Sequence, residues 1–395
     1  MNKFASHFSL CFILFFSASS CLIKKDQSFI KKEQQNLLIA DSDTIIDQTI
    51  NNKVTDSVTL LFIGDVMGHD SQIEAAFDKD KKTHDYNPVF KNVESIIKKA
   101  DFAIANLEVT LAGKPYKGYP QFSSPDELAI ACKESGIDVL VTANNHSCDR
   151  RKKGLLRTKK ILDSLKIPHT GTFKDLDDRK KNNLLILEKN NIKIGILNYT
   201  YGTNGIPATK PTIVNLIDTS LIFSDINNSK KDSLDKLVVF LHWGKEYESH
   251  PSSKQVQLAQ MIIDKGADII IGSHPHVLQR MEFINDTTID KEYVISYSLG
   301  NFVSAQRTRK RDGGAMLEIK ILKEDSKSII KSCGYHLTWV NITNDQNKKK
   351  FEIIPVINKE QFKLNEKQKN KLDVFIDDSR KLLEKENINV KEIKN

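Results

Sequence analysis

The chain has 395 residues and a formal net charge of +8 at pH 7. That charge favours an anionic partner, such as phospholipid head groups or an acidic polymer, although a lysine-rich composition alone also accounts for it. Past the N-terminus no stretch is long and apolar enough to span a bilayer, and the cysteines lack metal-binding spacing. The sequence therefore gives no indication of a membrane-spanning helix in that part of the chain and does not indicate a disulfide framework.

Residues 1–20 have the features of a secretory signal peptide. A positively charged start is followed by an apolar run at 8–16, which is too short to span a membrane, and then by small residues up to Cys21. Cleavage directly before a cysteine is typical of bacterial lipoproteins, and it predicts an exported protein anchored to a membrane of the cell envelope through acylated Cys21. Ala18 and Ser20 also suit ordinary signal peptidase, which would give a soluble secreted or periplasmic protein.

The rest of the chain divides by composition. Residues 21–57 are polar and cannot bury enough apolar surface to fold, so they are predicted to be a flexible tether. Residues 58–322 are predicted to form the main domain. Residues 323–395 are predicted to add strands and helices that pack on it as structural support.

The first predicted elements alternate between strands and helices. In chain order they are a strand at 58–63, a helix at 89–99, a strand at 102–105, a helix from Ser124 to Gly136, a strand at 139–142 and a helix at 154–165. The first strand is a continuous apolar run closed by Gly64, the pattern of a buried strand. Ser124 can cap the helix that it begins, because a side-chain oxygen there accepts from a free backbone N–H.

Later elements include hairpin-like pairs. They are strands at 184–187 and 192–198 around Asn190-Asn191, a strand at 237–241, a helix from Ser253 to Lys265, strands at 269–271, 293–297, 315–321, 335–342 and 351–356, and exposed helices within 361–386. Strands that alternate with helices early and pair as hairpins later predict an α/β fold, in which helices cover a mixed sheet system.

Metal-ligand types of residue follow one predicted strand after another. They are Asp65, Glu108, Asn145, His242, His274 and His276. In open α/β sheets the carboxyl ends of strands converge on one binding site. These side chains supply the oxygen and nitrogen donors that Zn, Mn or Fe accept, and a pair of ions about 4 Å apart needs a bridging carboxylate with terminal imidazoles. The pattern predicts a site for one or two divalent metal ions.

Each of these residues has an ordinary structural alternative. Asp65 could be a turn residue, Glu108 a solvated loop acid and His242 a hydrogen-bonded core histidine. His274 and His276 are harder to explain singly, because alternate residues of an extended segment share a face. Recurrence at successive strand ends favours the metal site.

At these positions the chain resembles the CapA family of bacterial capsule and poly-γ-glutamate synthesis proteins. The matching segments are Gly64-Asp65-Val66-Met67, Asn106-Leu107-Glu108, Asn144-Asn145-His146 with Asp149, His242-Trp243-Gly244 with Glu246-Tyr247, Gly272-Ser273-His274-Pro275-His276 and Tyr297-Ser298-Leu299-Gly300-Asn301-Phe302. They occur in the expected order over about 60–321. The resemblance does not extend past Lys323.

The resemblance implies a calcineurin-like metallophosphoesterase fold, a four-layer α-β-β-α sandwich, and a role for each matching residue. Asp65 would bind a first ion, Glu108 would bridge both ions, Asn145, His242 and His274 would complete the second, and His276 would return to the first. His146 would be the general acid that protonates the leaving group, assisted by Asp149.

Two positions depart from the wider phosphoesterase pattern. Met67 stands where those enzymes carry a second histidine, and Glu108 stands where they carry aspartate. Both departures are typical of the CapA branch, and both bear on whether two ions bind.

Three functions follow from the resemblance and the residues. The first is a metal-dependent hydrolase or transferase that cleaves a phosphoester or γ-glutamyl amide of an anionic envelope polymer. Other synthesis or export proteins would be its partners. The second is a non-catalytic assembly factor that binds the polymer through a degenerate site. The third is a secreted phosphodiesterase unrelated to capsule. No nucleic-acid partner is expected.

Overall fold

The computed structural model describes residues 56–286, 288, 291–345 and 348–394. The predicted signal peptide at 1–20, Cys21 and the predicted tether up to residue 55 lie outside the described residues. Asp56 begins the first strand, so regular structure starts slightly before the predicted domain boundary.

The strands are numbered in chain order. The first ten are β1 (Asp56–Val66), β2 (Phe77–Asp78), β3 (Thr83–His84), β4 (Phe102–Leu107), β5 (Val139–Val141), β6 (His169–Thr170), β7 (Thr172–Phe173), β8 (Leu185–Lys189), β9 (Ile192–Thr200) and β10 (Ile213–Val214). The others are β11 (Lys236–His242), β12 (Ile269–Ser273), β13 (Met281–Asp286), β14 (Lys291–Ser296), β15 (Asn301–Val303), β16 (Gly313–Glu324), β17 (Lys327–Asp345), β18 (Lys348–Pro355) and β19 (Lys391–Glu392).

The helices within the described residues are numbered in the same way. They are α1 (Asp70–Ala76), α2 (Asn87–Phe90), α3 (Glu94–Ile97), α4 (Glu127–Glu134), α5 (Arg151–Ser164), α6 (Leu176–Asn182), α7 (Thr219–Ser229), α8 (Ser253–Lys265) and α9 (Glu366–Glu386). Short 3-10 helices lie at Lys230–Asp232 and Val356–Gln361. No helix of the described residues is both long and apolar enough to cross a membrane.

Two mixed sheets carry most of the strands. The first is 9-stranded, in the order β18-β17-β16-β1-β4-β5-β6, with β15 beside β1 and β19 beside β17. Strands β1, β4, β5 and β6 are parallel, whereas β16, β17 and β18 join antiparallel. The second is 6-stranded, in the order β13-β14-β12-β11-β9-β8, with β9, β11, β12 and β14 parallel. Parallel strands end at the same edge, which fixes where the following loops gather.

The two sheets pack face to face. Phe62 and Leu317 of the first sheet lie in one apolar cluster with Ile196 and Phe240 of the second. A second cluster joins the outer face of the first sheet to helices α2 to α5, and a third joins the outer face of the second sheet to α7 and α8. This order of layers is the four-layer α-β-β-α sandwich predicted above, and the α/β class is confirmed.

Local signals that were read from the sequence explain several element ends. Asn190 and Asn191, at φ 49° and 55°, form the tight turn between the antiparallel strands β8 and β9, as predicted. Helix α8 ends at Gly266 with φ 115°, a left-handed conformation that glycine adopts readily. Its cap is Ser252 rather than the predicted Ser253, and Ser252 forms a reciprocal capping box with Gln255.

Several elements differ from the prediction. Helices α1, α6 and α7 were not predicted, and the expected cap at Ser124 was wrong, because α4 begins after Asp126 and the Ser124 hydroxyl has no hydrogen-bond partner among the described residues. The single helix expected at 89–99 is two short helices, α2 and α3, joined by a turn. This arrangement buries Phe90, Val93 and Ile97 together, so tertiary packing overrides helix continuity. Strand β13 was not predicted, because its apolar pattern is weak. It lies at the edge of the second sheet and is a strand because it pairs with β14.

A buried asparagine joins the two sheets. The Oδ1 atom of Asn198, on β9, accepts a hydrogen bond from the backbone N–H of Ala143, just past β5, at 2.6 Å. Its Nδ2 donates to the carbonyl of Phe240 on β11 at 3.2 Å. A Cβ on Gly171 would lie 2.1 Å from Asn198 Oδ1, so the chain approaches too closely there for any side chain.

The C-terminal part continues the first sheet and covers one end of the inter-sheet cluster. Strand β16 pairs with β1, and β17 pairs with β16. Leu372, Phe375 and Ile376 of α9 lie in the same apolar cluster as Trp339 of β17. Helix α9 is therefore held to the sheet by buried aromatic and aliphatic contacts.

We expect Phe375→Ala to lower the free energy of unfolding by about 3–5 kcal/mol, because it removes a buried aromatic ring and leaves a cavity. Phe375 is 1% exposed, whereas the neighbouring Val374 is 43% exposed. The matched variant Val374→Ala should change stability by about 0.5 kcal/mol or less. Urea unfolding measures both, and equal effects would contradict docking of α9 through this face.

Candidate functional site

The sequence-predicted ligand residues meet where the parallel strands of both sheets end. In chain order, Asp65 closes β1, Glu108 follows β4, Asn145 follows β5, His242 closes β11, and His274 and His276 follow β12. None of them is more than 3% exposed. The structure thus brings the whole set together at the seam between the sheets.

One grouping joins residues of the two sheets around Asp65. The Nδ1 atom of His276 lies 3.2 Å from Asp65 Oδ2, and its Nε2 lies 3.6 Å from Glu108 Oε1. Asp65, Glu108 and His276 can each place one donor atom within 4.8 Å of the other two. That spacing suits a single divalent cation.

A second grouping shares Glu108 with the first. His242 Nε2 lies 3.5 Å from Glu108 Oε1 and 3.0 Å from Asn145 Oδ1. The rings of His242 and His274 are 4.8 Å apart, and Glu108, His242 and His274 satisfy the same 4.8 Å spacing of donor atoms. Glu108 therefore lies between two adjacent sets of donors.

Glu246 is an acidic residue to which the sequence analysis assigned no role. It is half-buried, and its carboxylate lies within 4.8 Å of donor atoms of His274 and His276. The signal was present in the matching segment that contains Glu246-Tyr247, but nothing in the spacing showed that this loop turns back toward the histidines.

The carboxylate of Glu108 has an unusual environment. Neither of its oxygens has a hydrogen-bond partner within the described part of the chain. Burial, followed by the nearby charge of Asp65, raises the pKa of Glu108 well above its usual value. Buried carboxylates normally find a donor or a cation, so this environment is compatible with a cation bound beside Glu108.

His242 and His274 are arranged as neutral donors. Burial, together with the neighbouring His276, lowers the pKa of His274 to about 4. Burial and the nearby His274 lower the pKa of His242 well below its usual value. Neutral imidazoles keep a lone pair, and among the described residues Nδ1 of His274 has no hydrogen-bond partner.

Together these donors fit a divalent cation. Two buried carboxylates, uncharged imidazoles and orphaned donor atoms form a set that is costly when empty and favourable around a divalent ion. Because Glu108 belongs to both groupings, the arrangement is compatible with one ion or with two adjacent ions.

Asparagine side chains hold the donors in place. Asn106 donates through Nδ2 to Asp65 Oδ1 at 2.8 Å, and the same atom lies 3.3 Å from His242 Nδ1. Asn144 donates to Asn106 Oδ1 at 3.2 Å. Such outer contacts fix the orientation of ligand side chains. The sequence placed Asn106 and Asn144 in matching segments but did not reveal this network.

The second sheet has its own positioning contacts. Ser273 Oγ lies 2.9 Å from His242 Nδ1, which leaves Nε2 facing Glu108 and Asn145. Asn301 Oδ1 lies 3.0 Å from His276 Nδ1. His242 and His276 therefore each have Nδ1 held by a neighbouring side chain and Nε2 directed toward Glu108.

The loop after β12 is not extended. His274 has φ 97° and His276 has φ 57°, both left-handed conformations that non-glycine residues rarely adopt. The expectation that the two share a face of an extended segment was therefore wrong, and the loop turns instead. A Cβ on Gly272 would lie 2.0 Å from the carbonyl oxygen of Tyr297, so the loop leaves the strand through a glycine.

A histidine–aspartate pair lies beside the donors. His146 Nδ1 is 2.8 Å from Asp149 Oδ2, and both side chains are buried. The same Asp149 oxygen accepts the backbone N–H of Phe122 at 2.6 Å. The Phe122 ring packs edge-on against the imidazole, with centroids 4.6 Å apart. With Nδ1 hydrogen-bonded to Asp149, Nε2 of His146 remains available.

Met67 and His69 lie near the start of this region. Met67 is 2% exposed and belongs to the apolar cluster on the helix side of the first sheet. His69 precedes α1, and its Nδ1 is 3.0 Å from Gln72 Oε1. We assign His69 to the start of α1 rather than to the donor sets.

Aromatic side chains border the site and were not predicted. The ring of Tyr201 packs on His274 at 4.5 Å, and Tyr247 lies 6.2 Å from His276. Their exposed fractions are 46% and 39%, so they form the part of the site that faces solvent. No spacing or motif in the sequence distinguishes Tyr201 from other strand-end tyrosines.

We expect His274 to contribute a loss of stability of the metal-free protein as the pH falls from 6.5 toward 4, because the pKa of folded His274 is about 4 against an ordinary 6.5. In this window the unfolded chain binds a proton that the folded chain does not, so the free energy of unfolding decreases as the pH decreases. His274→Gln should remove up to about 1.4 kcal/mol per pH unit from that slope. Urea unfolding in chelator at several pH values measures it.

The control is His250→Gln, since the side chain of His250 is 69% exposed. That substitution should leave the slope unchanged. If His274→Gln also left it unchanged, burial would not be holding this imidazole neutral.

Comparison with known proteins identifies relatives in sequence. Residues 59–306 match the family described as bacterial capsule synthesis protein PGA_cap. The chain is 30% identical over 294 residues to capsule biosynthesis protein CapA of Bacillus anthracis, covering 71% of this chain and 68% of that protein. It is 32% identical over 265 residues to PGA biosynthesis protein CapA of Bacillus subtilis, covering 65% and 66%. The chain thus spans about two thirds of the length of these relatives.

Solved structures give more distant similarities. A calcineurin-like phosphoesterase from Bacillus subtilis aligns with a TM-score of 0.42 and 13% identity, over 83% of this chain and 98% of that one. A 5′-nucleotidase precursor from Thermus thermophilus aligns with a TM-score of 0.46 and 13% identity, over 82% and 59%. It is the sequence matches that show the relationship: the chain belongs to the bacterial capsule synthesis protein PGA_cap family.

Proposed function

We propose that this protein is a metal-dependent hydrolase or transferase that acts on an anionic polymer of the cell envelope during capsule or poly-γ-glutamate biosynthesis. The observation that carries the proposal is the carboxylate of Glu108, fully buried and without a hydrogen-bond partner among the described residues, between two sets of donors. The names of the relatives, capsule and PGA biosynthesis proteins, support the polymer.

The ligand roles that we propose follow the two groupings. Asp65 and His276 would hold one ion, His242, His274 and Asn145 would hold the other, and Glu108 would bridge them. Divalent ions such as Mn, Zn or Fe, when bound, supply Lewis acidity and lower the pKa of water at the site. The scissile bond in this proposal is a phosphoester or a γ-glutamyl amide.

The protein groups prepare the reaction in two ways. Asn106, Ser273 and Asn301 hold the donor side chains in fixed orientations, so little reorganisation is needed when charge develops. Asp149 holds Nδ1 of His146, which leaves Nε2 to give a proton to the departing oxygen or nitrogen. Burial of the pair by Phe122 limits competition from water.

A second candidate is a non-catalytic factor that binds the polymer or the synthesis machinery. The observation that favours it is Met67, which is buried among apolar residues at the position where the wider phosphoesterases carry a second histidine. With Met67 there, the donor set around Asp65 has one nitrogen fewer, and a weakly held first ion would leave binding without turnover.

The proposed location is the cell envelope, in agreement with the capsule biosynthesis relatives. We propose anchoring through acylated Cys21, with release as a secreted or periplasmic protein as the alternative. Anchoring would place the site near the membrane, where an envelope polymer is assembled and where other synthesis or export proteins would meet it.

We expect the purified protein to contain up to two transition-metal ions per chain, and Asp65→Asn and His274→Ala to lose most of this metal, because each removes a donor from a different set. Elemental analysis after gel filtration measures the content. His250→Ala is the control, since this histidine is 69% exposed and lies outside both sets.

The number of ions separates the candidates. Two ions in the wild type, lost in the variants, would support the hydrolase. One ion, insensitive to Asp65→Asn, would indicate that Met67 leaves the first position weak. A protein with no metal would favour the non-catalytic factor.

We expect His146→Gln to lower turnover by about 100- to 10,000-fold for substrates with poor leaving groups, because they need a proton from the enzyme. Substrates with nitrophenyl or nitroanilide leaving groups should be affected much less. The measurement compares alkyl and nitroaryl members of the phosphoester and γ-glutamyl series. Equal losses across a series would mean that His146 is not the proton donor.

A further inference from the structure

A large basic cleft lies beside the candidate site and takes no part in it. Two cavities of about 520 and 590 Å³ share Arg307, Lys367 and Lys371 in their walls. One wall is the loop between β15 and β16, and the other is the beginning of α9. The second cavity is also lined by β17 and by Lys349 of β18, and we refer to the two cavities together as the basic cleft.

The lining of the basic cleft carries an excess of positive charge. Its cationic residues are Arg307, Arg309, Lys310, Lys349, Lys367 and Lys371, and its acidic residues are Asp312 and Glu366. Arg309 is paired with Asp378. Within the described ranges, Lys349 and Lys367 form no ion pair and are exposed. Arg307 is also paired, with Asp312 at 3.8 Å, so the cations without an internal ion pair are lysines, and exposed unpaired lysines in a cavity favour an anionic ligand.

The wall from α9 is held in place by the fold. Asn365 caps the helix, and Gln368 donates to Asn341 Oδ1 on β17 at 3.0 Å. Lys367 and Lys371 are four positions apart and so lie on the same helix face. The lysine backbones are therefore fixed while their ammonium groups remain free to meet a ligand.

The opposite wall is continuous with the candidate site. Asn301, which contacts His276, donates to the carbonyl of Arg311 at 2.8 Å. The Arg311 guanidinium lies 3.2 Å from the centre of the Tyr247 ring. The same loop thus borders the site through Arg311 and lines the basic cleft through Arg307. A ligand long enough to leave the site past Tyr247 meets this loop.

We propose that the basic cleft binds a stretch of a linear anionic polymer while another part of the same chain occupies the candidate site. The inference rests on the proposed function and adds to it a second contact, which would select long chains over single acidic units. A concave surface with cations on facing walls encloses a chain, whereas a membrane surface is met best by an exposed flat patch.

The test uses the purified full-length protein and a fluorescent γ-linked oligoglutamate, with binding followed by anisotropy. We expect Lys367→Gln/Lys371→Gln to bind about 3- to 10-fold more weakly, as two exposed ion pairs are lost. The matched control is Lys363→Gln/Lys369→Gln, which removes the same charge from residues that line neither cavity. The control should bind as the wild type does.

Further outcomes separate this inference from the proposed function. Metal content should be unchanged in the Lys367/Lys371 variant. If the wild type turns over a small substrate, that turnover should also be unchanged. Asp65→Asn should lose metal and turnover yet still bind the oligomer through the lysines. Equal binding by the lysine variant and its control would overturn the inference. So would a variant that loses binding to vesicles of anionic phospholipid but keeps full binding to oligoglutamate.

Discussion

The structure depends on burying two carboxylates at the point where two sheets meet. Asp65 and Glu108 are both fully buried, and within the described part of the chain neither forms an ion pair with a lysine or an arginine. Placing like charges together in a low-dielectric interior is strongly unfavourable unless a cation or a proton compensates. Two of the neighbouring histidines, His242 and His274, have lowered pKa values and do not compensate. The two buried carboxylates are therefore stable together only when a cation or a proton binds there.

That constraint explains the polar network around the site. Amide side chains such as Asn106 and Asn301 can hold a carboxylate or an imidazole without adding charge. An arginine in their place would neutralise Asp65 internally and remove the need for a ligand. The uncharged partners keep the donors oriented and leave their charge uncompensated, which is the electrostatic condition for tight binding of a divalent ion.

The sequence predicts the fold well where the signal is local. Apolar runs closed by polar residues located strands β1, β11 and β12, and the Asn190-Asn191 turn located a hairpin. One continuous helix was predicted at 89–99, but the chain forms two short helices there, because burial of Phe90 and Val93 against the sheet determines its path. Edge strand β13 was missed because its pairing partner, not its own pattern, makes it a strand.

The candidate site could be predicted as a set but not as a geometry. Recurrence of ligand types at strand ends showed which residues to consider, since parallel strands must end together. The left-handed turns at His274 and His276, the return of Glu246 and the stacking of Tyr201 depend on the paths of loops between the two sheets. No spacing along the chain encodes these paths.

The amide of Asn198 has a consequence for how the molecule moves. It bonds the first sheet at Ala143 and the second at Phe240, close to the loop that carries Asn145. Sliding or hinging of one sheet on the other would break the bond between Asn198 and Ala143, so this contact opposes relative motion of the sheets beside the site. The side chains that are free to move at the entrance are instead the half-exposed rings of Tyr201 and Tyr247. These rings can change rotamer within nanoseconds while the donors behind them stay still.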